Sequence, residues 1–191
     1  MNRVIIFLSI FLICNSLFSQ IDLYRDTSVN VIENNISFKN AWASGINAAQ
    51  FNEIDLDLDG TMDLVVFDKS GNKLIPYLNK NGKFVFAPKY RSYFPELHDW
   101  VIFEDYNCDG KKDIYTYTSG GLGIYKNTSS SVLSFSLVTD LLLSDYGGPN
   151  PINIFISAVD VPAVSDVDYD GDLDILTCLL YTSDAADEVV S

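Results

Sequence analysis

From residue 41 the chain alternates short apolar runs with turn signals, and no stretch sustains the 3.6-residue apolar period of an amphipathic helix. Residues 48–54 lead into a polar loop, and Leu64-Val65-Val66-Phe67 leaves it with the β-branched and aromatic content of a strand. Asp68-Lys69-Ser70-Gly71-Asn72 is a turn signal, residues 74–79 form a third apolar run, Lys80-Asn81-Gly82-Lys83 turns the chain again, and Phe84-Val85-Phe86 follows. This order predicts four short strands joined by tight hairpins. Pro76 places its strand where a missing N–H is tolerated. The order then recurs: residues 100–103, 114–117, 123–127 and 133–138 are the strand candidates, and Tyr125-Lys126-Asn127 stands where Tyr77-Leu78-Asn79 stood. A third round is visible in residues 152–159, Pro162-Ala163-Val164 and Ile175-Leu176. Upstream, residues 21–24 and 29–32 alternate as two further short strands would. The expected fold class is all-β, built from consecutive four-stranded antiparallel units.

The loop between the first and second strand of each unit carries one pattern three times. Asp55, Asp57, Asp59, Gly60 and Asp63 spell D-x-D-x-D-G-x-x-D; Asp105, Asn107, Asp109, Gly110 and Asp113 spell D-x-N-x-D-G-x-x-D; Asp166, Asp168, Asp170, Gly171 and Asp174 return to the first form. The loop starts lie 50 and then 61 residues apart, a period that suits blades of an incomplete β-propeller better than a helical solenoid. Alternate carboxylates on a tight loop face a common centre, where they repel one another unless a cation is present. Hard Ca²⁺ takes six to eight oxygens from carboxylates, carbonyls and water. Positions one, three, five and nine supply the side chains, and the carbonyl of position seven (Thr61, Lys111 or Asp172) adds a backbone ligand. The glycine at position six permits the left-handed turn that wraps the loop. An EF-hand shares the opening of this pattern but requires a bidentate Glu at position twelve, on a helix. Val66, Thr116 and Thr177 occupy those positions between strand-like flanks, which excludes the EF-hand and the related dockerin loop. Loop two, with Asn107 in place of a carboxylate, is expected to bind calcium more weakly than loops one and three, because affinity rises with ligand charge.

The chain's acidity is concentrated in these loops. The formal net charge of the 191 residues is −14. Residues 20–177 carry a net −12, which would be −1 without the eleven loop aspartates. Such a balance excludes nucleic acid and an anionic membrane as partners and fits cations. Cysteines are sparse: Cys14, Cys108 and Cys178 show no disulfide framework, so an exported chain of this kind needs another staple, and bound metal is one. His98 is the sole histidine, with no nucleophile at catalytic spacing. Tyr90, Tyr93, Phe94 and Trp100 are candidates for a sugar-stacking platform, although packing between units accounts for such residues more simply.

Residues 1–19 read as a secretory signal: Arg3 is the n-region charge, residues 4–14 are apolar, and Ser19 precedes a plausible cleavage point before Gln20. The apolar run is shorter than the about 20 residues that span a bilayer. Residues 20–40 form an N-terminal strand segment. The stretch from Cys178 to Glu188 resembles the conceptual translation of a sequencing adapter, so residues 178–191 are set aside as an artefactual tail and the third repeat is expected to be cut short.

Three complete loops, each followed by an aliphatic strand, resemble the FG-GAP/VCBS repeat, the calcium-loop blade of integrin α-subunit propellers and of many exported bacterial proteins. The resemblance covers about residues 40–177, and residues 94–110 look especially like VCBS-repeat proteins of Bacteroidota. It implies ligands between the first two strands of each blade, on one rim. It further implies a secreted or cell-surface calcium-binding scaffold or adhesion module whose partner is an extracellular protein or glycan. The alternative reading is a fragment of a secreted polysaccharide lyase or hydrolase on a calcium-bound propeller. That would need a cluster of basic, Tyr or His residues converging on one face, and the chain offers one His and few basic residues.

Overall fold

A computed structural model describes residues 26–43, 45–144 and 149–177. The signal segment, residues 21–24, Cys14, Cys178 and the tail lie outside the described residues. The chain divides into two compact units, Met1–Asn30 and Val31–Ser191. In the first, the Asp26 carboxylate accepts hydrogen bonds from the Ser28 N–H and hydroxyl at 2.9 and 2.6 Å.

The second unit is all-β. It opens with a minimal hairpin, β1 (Ile32–Glu33) and β2 (Ile36–Ser37). Asn34 and Asn35 form its turn with φ of 48° and 65°, left-handed values that asparagine tolerates well. Of the expected strand over residues 29–32, Ile32 lies in β1, and the Val31 carbonyl accepts from the Phe38 N–H at 2.9 Å. Sheet I then runs as a meander: β3 (Ala49–Ile54), β4 (Asp63–Asp68), β5 (Lys73–Asn79) and β6 (Phe84–Phe86), hydrogen-bonded in that order. Sheet II repeats it with β7 (Val101–Glu104), β8 (Asp113–Thr118), β9 (Gly121–Asn127) and β10 (Phe135–Thr139). Two antiparallel pairs follow: β11 (Leu143–Ser144) with β12 (Ile152–Asn153), and β13 (Ala163–Ser165) with β14 (Asp174–Leu176). The only helical turns among the described residues are two 3₁₀ segments, Lys69–Gly71 and Pro88–Tyr93.

The sheets are buried on both faces, and strand alternation shows how. Val65 and Phe67 of β4 pack with Val101, Phe103 and Ile114 of sheet II, together with Tyr90, Leu97 and Leu133, in one apolar cluster. Val66, between them in sequence, points the other way, onto Ile75, Tyr77 and Ala43. In sheet II, Ile114 faces sheet I while Tyr115 joins Trp100, Leu122, Ile124, Ile156 and Val164. Each central strand therefore reads as a continuous apolar run because it has a neighbour on either side.

Two details position the loops. β5 is an internal strand, yet it contains Pro76. The Pro76 carbonyl accepts from the Ala87 N–H at 2.9 Å, just beyond the end of β6, so the missing donor faces a point where sheet pairing has stopped. Between sheets, side chains of β3 satisfy edge N–H groups of β7: Val101 donates to Gln50 Oε1 at 3.0 Å and Phe103 to Asn52 Oδ1 at 3.3 Å. In β9, which pairs alongside β8, a Cβ on Gly123 would sit 2.5 Å from Thr118 Cγ2, so a side chain there would displace Thr118.

Candidate metal centre

Each acidic loop joins the first strand of its sheet to the second, and one set of hydrogen bonds recurs. The position-one carboxylate faces inward and accepts from the N–H groups ahead of it. Asp55 accepts from Asp59 (3.1 Å) and Gly60 (2.8 Å); Asp105 accepts from Asp109 (3.1 Å) and Gly110 (2.6 Å); Asp166 accepts from Gly171 (3.1 Å). The position-five carboxylate closes a short turn by accepting from the N–H of position seven: Thr61 to Asp59 at 2.8 Å, Lys111 to Asp109 at 3.0 Å and Asp172 to Asp170 at 2.9 Å. The closing aspartate reaches back to position two, accepting from Leu56, Tyr106 and Val167 at 2.8, 2.8 and 2.9 Å.

The closing residue also ties the loop to the third strand of the sheet. Asp63 accepts from the Asn79 N–H at 2.7 Å and Asp113 from the Asn127 N–H at 2.6 Å. The asparagine amides return the contact, donating to the Met62 and Lys112 carbonyls at 3.2 and 3.0 Å. These two asparagines were visible in the sequence as a recurrence, Tyr77-Leu78-Asn79 and Tyr125-Lys126-Asn127, but nothing in it marked them as loop anchors.

Position six takes positive φ as expected, at 84°, 83° and 97° for Gly60, Gly110 and Gly171. Position four does the same without glycine. Leu58, Cys108 and Tyr169 have φ of 59°, 57° and 63°. A left-handed conformation costs a side-chain-bearing residue about 1–2 kcal/mol. Loops one and two sustain it because the turn aims the N–H groups of positions five and six at the first carboxylate; in loop three the Gly171 N–H does so while the Asp170 N–H donates to Asp168 at 3.3 Å. No sequence signal could reveal this, since leucine, cysteine and tyrosine are all disfavoured there.

The carboxylates converge unequally. In loop one, oxygens of Asp55, Asp57 and Asp63 lie within 4.8 Å of one another, and loop three does the same with Asp166, Asp168 and Asp174. Position five stands outside both trios. In loop two the amide of Asn107 turns aside and donates to Asp109 Oδ2 at 3.1 Å, leaving no three-acid cluster. Lysines approach the first two loops: Lys80 Nζ lies 2.7 Å from Asp57 Oδ2 and 3.5 Å from Asp59 Oδ2, and Lys126 Nζ lies 3.4 Å from Asp109 Oδ2. Cys108 is exposed and unpaired.

A divalent cation with a preference for oxygen fits what these loops lack. Asp57 Oδ1 and Asp166 Oδ1 are buried with no hydrogen-bond partner, one in each three-acid cluster. A buried carboxylate oxygen without a donor is costly, and a hard cation is the group that satisfies it. Burial, with neighbouring loop carboxylates adding to it, pushes the pKa of Asp63 and of Asp113 above the ordinary carboxylate range, although the backbone N–H groups oppose the rise. Without a cation, the folded chain therefore takes up protons here before the unfolded chain does. These two groups favour folding as pH falls into that range and oppose it as pH rises through it.

Comparison with known proteins locates the same stretch. Residues 55–116 match a family described as FG-GAP-like repeat. The matched segment starts on the first aspartate of loop one and ends in β8, three residues past the last aspartate of loop two, so it spans both loops and the whole framework between them. Loop three and its strands lie outside it. No curated protein and no solved structure matches the chain.

The other residues singled out in the sequence fall into the framework. Trp100 is fully buried and Tyr90 is buried, so these two form core; Phe94 is partly buried and stacks on Phe135 with ring centroids 5.1 Å apart, and Tyr93 is exposed. His98 lies half-exposed, 3.8 Å from Glu96.

Proposed function

We propose that the chain is an extracellular calcium-binding repeat module whose four-stranded sheets are successive blades of a β-propeller, and that it acts as a scaffold or adhesion surface. Ca²⁺ would be held in loop one by Asp55, Asp57, Asp59, Asp63 and the Thr61 carbonyl. The corresponding groups in loop two are Asp105, Asn107, Asp109, Asp113 and the Lys111 carbonyl, and in loop three Asp166, Asp168, Asp170, Asp174 and the Asp172 carbonyl. The ion's contribution is charge neutralisation and cross-linking of the loop, not chemistry on a substrate. The observation that carries this reading is the pair of three-carboxylate clusters, each with a buried oxygen that no protein donor reaches. The match of residues 55–116 to an FG-GAP-like repeat and the face-to-face packing of sheets I and II support the blade reading. Export through the N-terminal signal segment, residues 1–19, belongs to the same proposal. Calorimetric titration of the chelator-treated chain with calcium tests it. The expected result is two tighter sites and one weaker site, and absence of saturable binding at millimolar calcium overturns it.

A further inference from the structure

A second polar site lies at the end of β4 remote from acidic loop one. A cavity of about 480 Å³ opens between the turn after β4 and the connection from β6 to β7. Its charged and polar wall consists of Asn72, Arg91, Glu96 and His98, and Phe94 and Leu97 supply apolar surface. Asn72 organises this wall. Its left-handed backbone (φ 49°) turns the side chain so that Oδ1 accepts from the Asp99 N–H at 2.8 Å and Nδ2 lies 3.2 Å from His98 Nδ1. Asp99 is itself left-handed, at φ 61°. With the amide donating, His98 Nδ1 is the acceptor and Nε2 carries the proton. That proton faces Glu96 Oε1 across 3.8 Å, too far for a hydrogen bond, so donor and acceptor are both open to a ligand.

Arg91 decides the charge of that ligand. It is the only arginine among the described residues, and its guanidinium makes no ion pair with them. Lys80, Lys112 and Lys126 each have a carboxylate partner. Arg91 is exposed and lines the cavity, and the planar fork of its guanidinium matches a carboxylate in two parallel hydrogen bonds.

We propose that this cavity binds one sugar-acid residue of a glycan. The carboxylate sits on Arg91. The ring hydroxyls donate to Glu96 and accept from His98 Nε2 and the second hydrogen of the Asn72 side-chain amide, and the C–H face of the ring lies against Phe94 and Leu97. Phe94 is held rigid for this by Phe103 and Phe135, with centroids 6.0 and 5.1 Å away. One carboxylate with several hydroxyls matches one guanidinium with a mixed set of donors and acceptors. A phosphate would bring a second negative charge against Glu96, and a neutral sugar would leave Arg91 unmatched. The cavity volume is that of a small-ligand site of about 300–1,000 Å³ at its lower end, room for a single ring.

The test is titration of the full chain with methyl glucuronide and with methyl glucoside, in calcium and in chelator. The glucuronide is expected to bind at least about tenfold more tightly, the factor a charge-assisted bidentate contact supplies. Arg91→Ala should abolish that preference, while Lys83→Ala, an equal change of charge on the exposed turn before β6, should leave it intact. Arg91→Lys, with its melting temperature checked against the parent, covers the case in which the alanine variant folds poorly, and should lose most of the preference. Equal affinity for the two sugars, no binding of either, or a preference that survives Arg91→Ala overturns the proposal. So does tighter binding of an aspartyl dipeptide than of the glucuronide. The cavity and the loops occupy opposite ends of β4, so this result is separable from the calcium titration.

Discussion

Loops one and two share a backbone and differ in charge. Both accept N–H groups of positions five and six on the first aspartate, both reach from position nine to position two, and both lean on an asparagine of the third strand. Only loop one gathers three carboxylates, because Asp57 points into the centre where Asn107 turns to Asp109. The hydrogen-bonded frame thus forms irrespective of how many charges it encloses, and position three sets the charge within a fixed frame. Shape and affinity are separately encoded, which is why a repeat can keep its fold while its metal sites vary.

The largest expected effect tests the shared half of that comparison. Asp63 and Asp113 are each about 1% exposed or less, and each accepts two backbone N–H groups. Asp63→Ala and Asp113→Ala should each destabilise the metal-free chain by about 2–4 kcal/mol, because two donors lose their partner. Denaturant unfolding measures this, and unequal losses would break the claim of a common frame. The differing half is tested next. Asn107→Asp should tighten loop-two calcium binding roughly tenfold by adding a charged ligand, read by titration of that loop with the other two disabled. An unchanged affinity would mean that position three does not tune the site. The smallest effect concerns Lys80, whose ammonium already neutralises Asp57 and Asp59 in loop one. Because the Lys80 side chain is half-exposed, the pair is worth little, so Lys80→Ala should tighten loop-one binding only about two- to fivefold. Weaker binding after this change would show the lysine to be a support and not a competitor.

Much of this was legible beforehand because the strands are short and bounded by strong turns. Residues 64–67 and 114–117 announced β4 and β8, and glycine at position six announced the left-handed bend. Pro76 correctly signalled a place without need of an N–H, but the sequence could not show that this place lies inside an internal strand, because that depends on where β6 ends. Alternate aspartates suggested equal ligands, whereas the fold groups positions one, three and nine and sets position five aside in a turn of its own. The left-handed Leu58, Cys108 and Tyr169 were invisible, since tertiary hydrogen bonding overrides their local preference. The asparagine anchors needed the third strand to be placed before their role could be read.

The central claim is that crowded carboxylates make the framework depend on a cation. Thermal unfolding of the full chain in chelator and in calcium at a hundredfold excess over Kd tests it most directly. One occupied site at that excess contributes about 2.7 kcal/mol, equivalent to a rise of roughly 5–10 °C for a chain of this size. The account predicts at least that shift, with a smaller one in magnesium. Superimposable melting curves in chelator and calcium would contradict it.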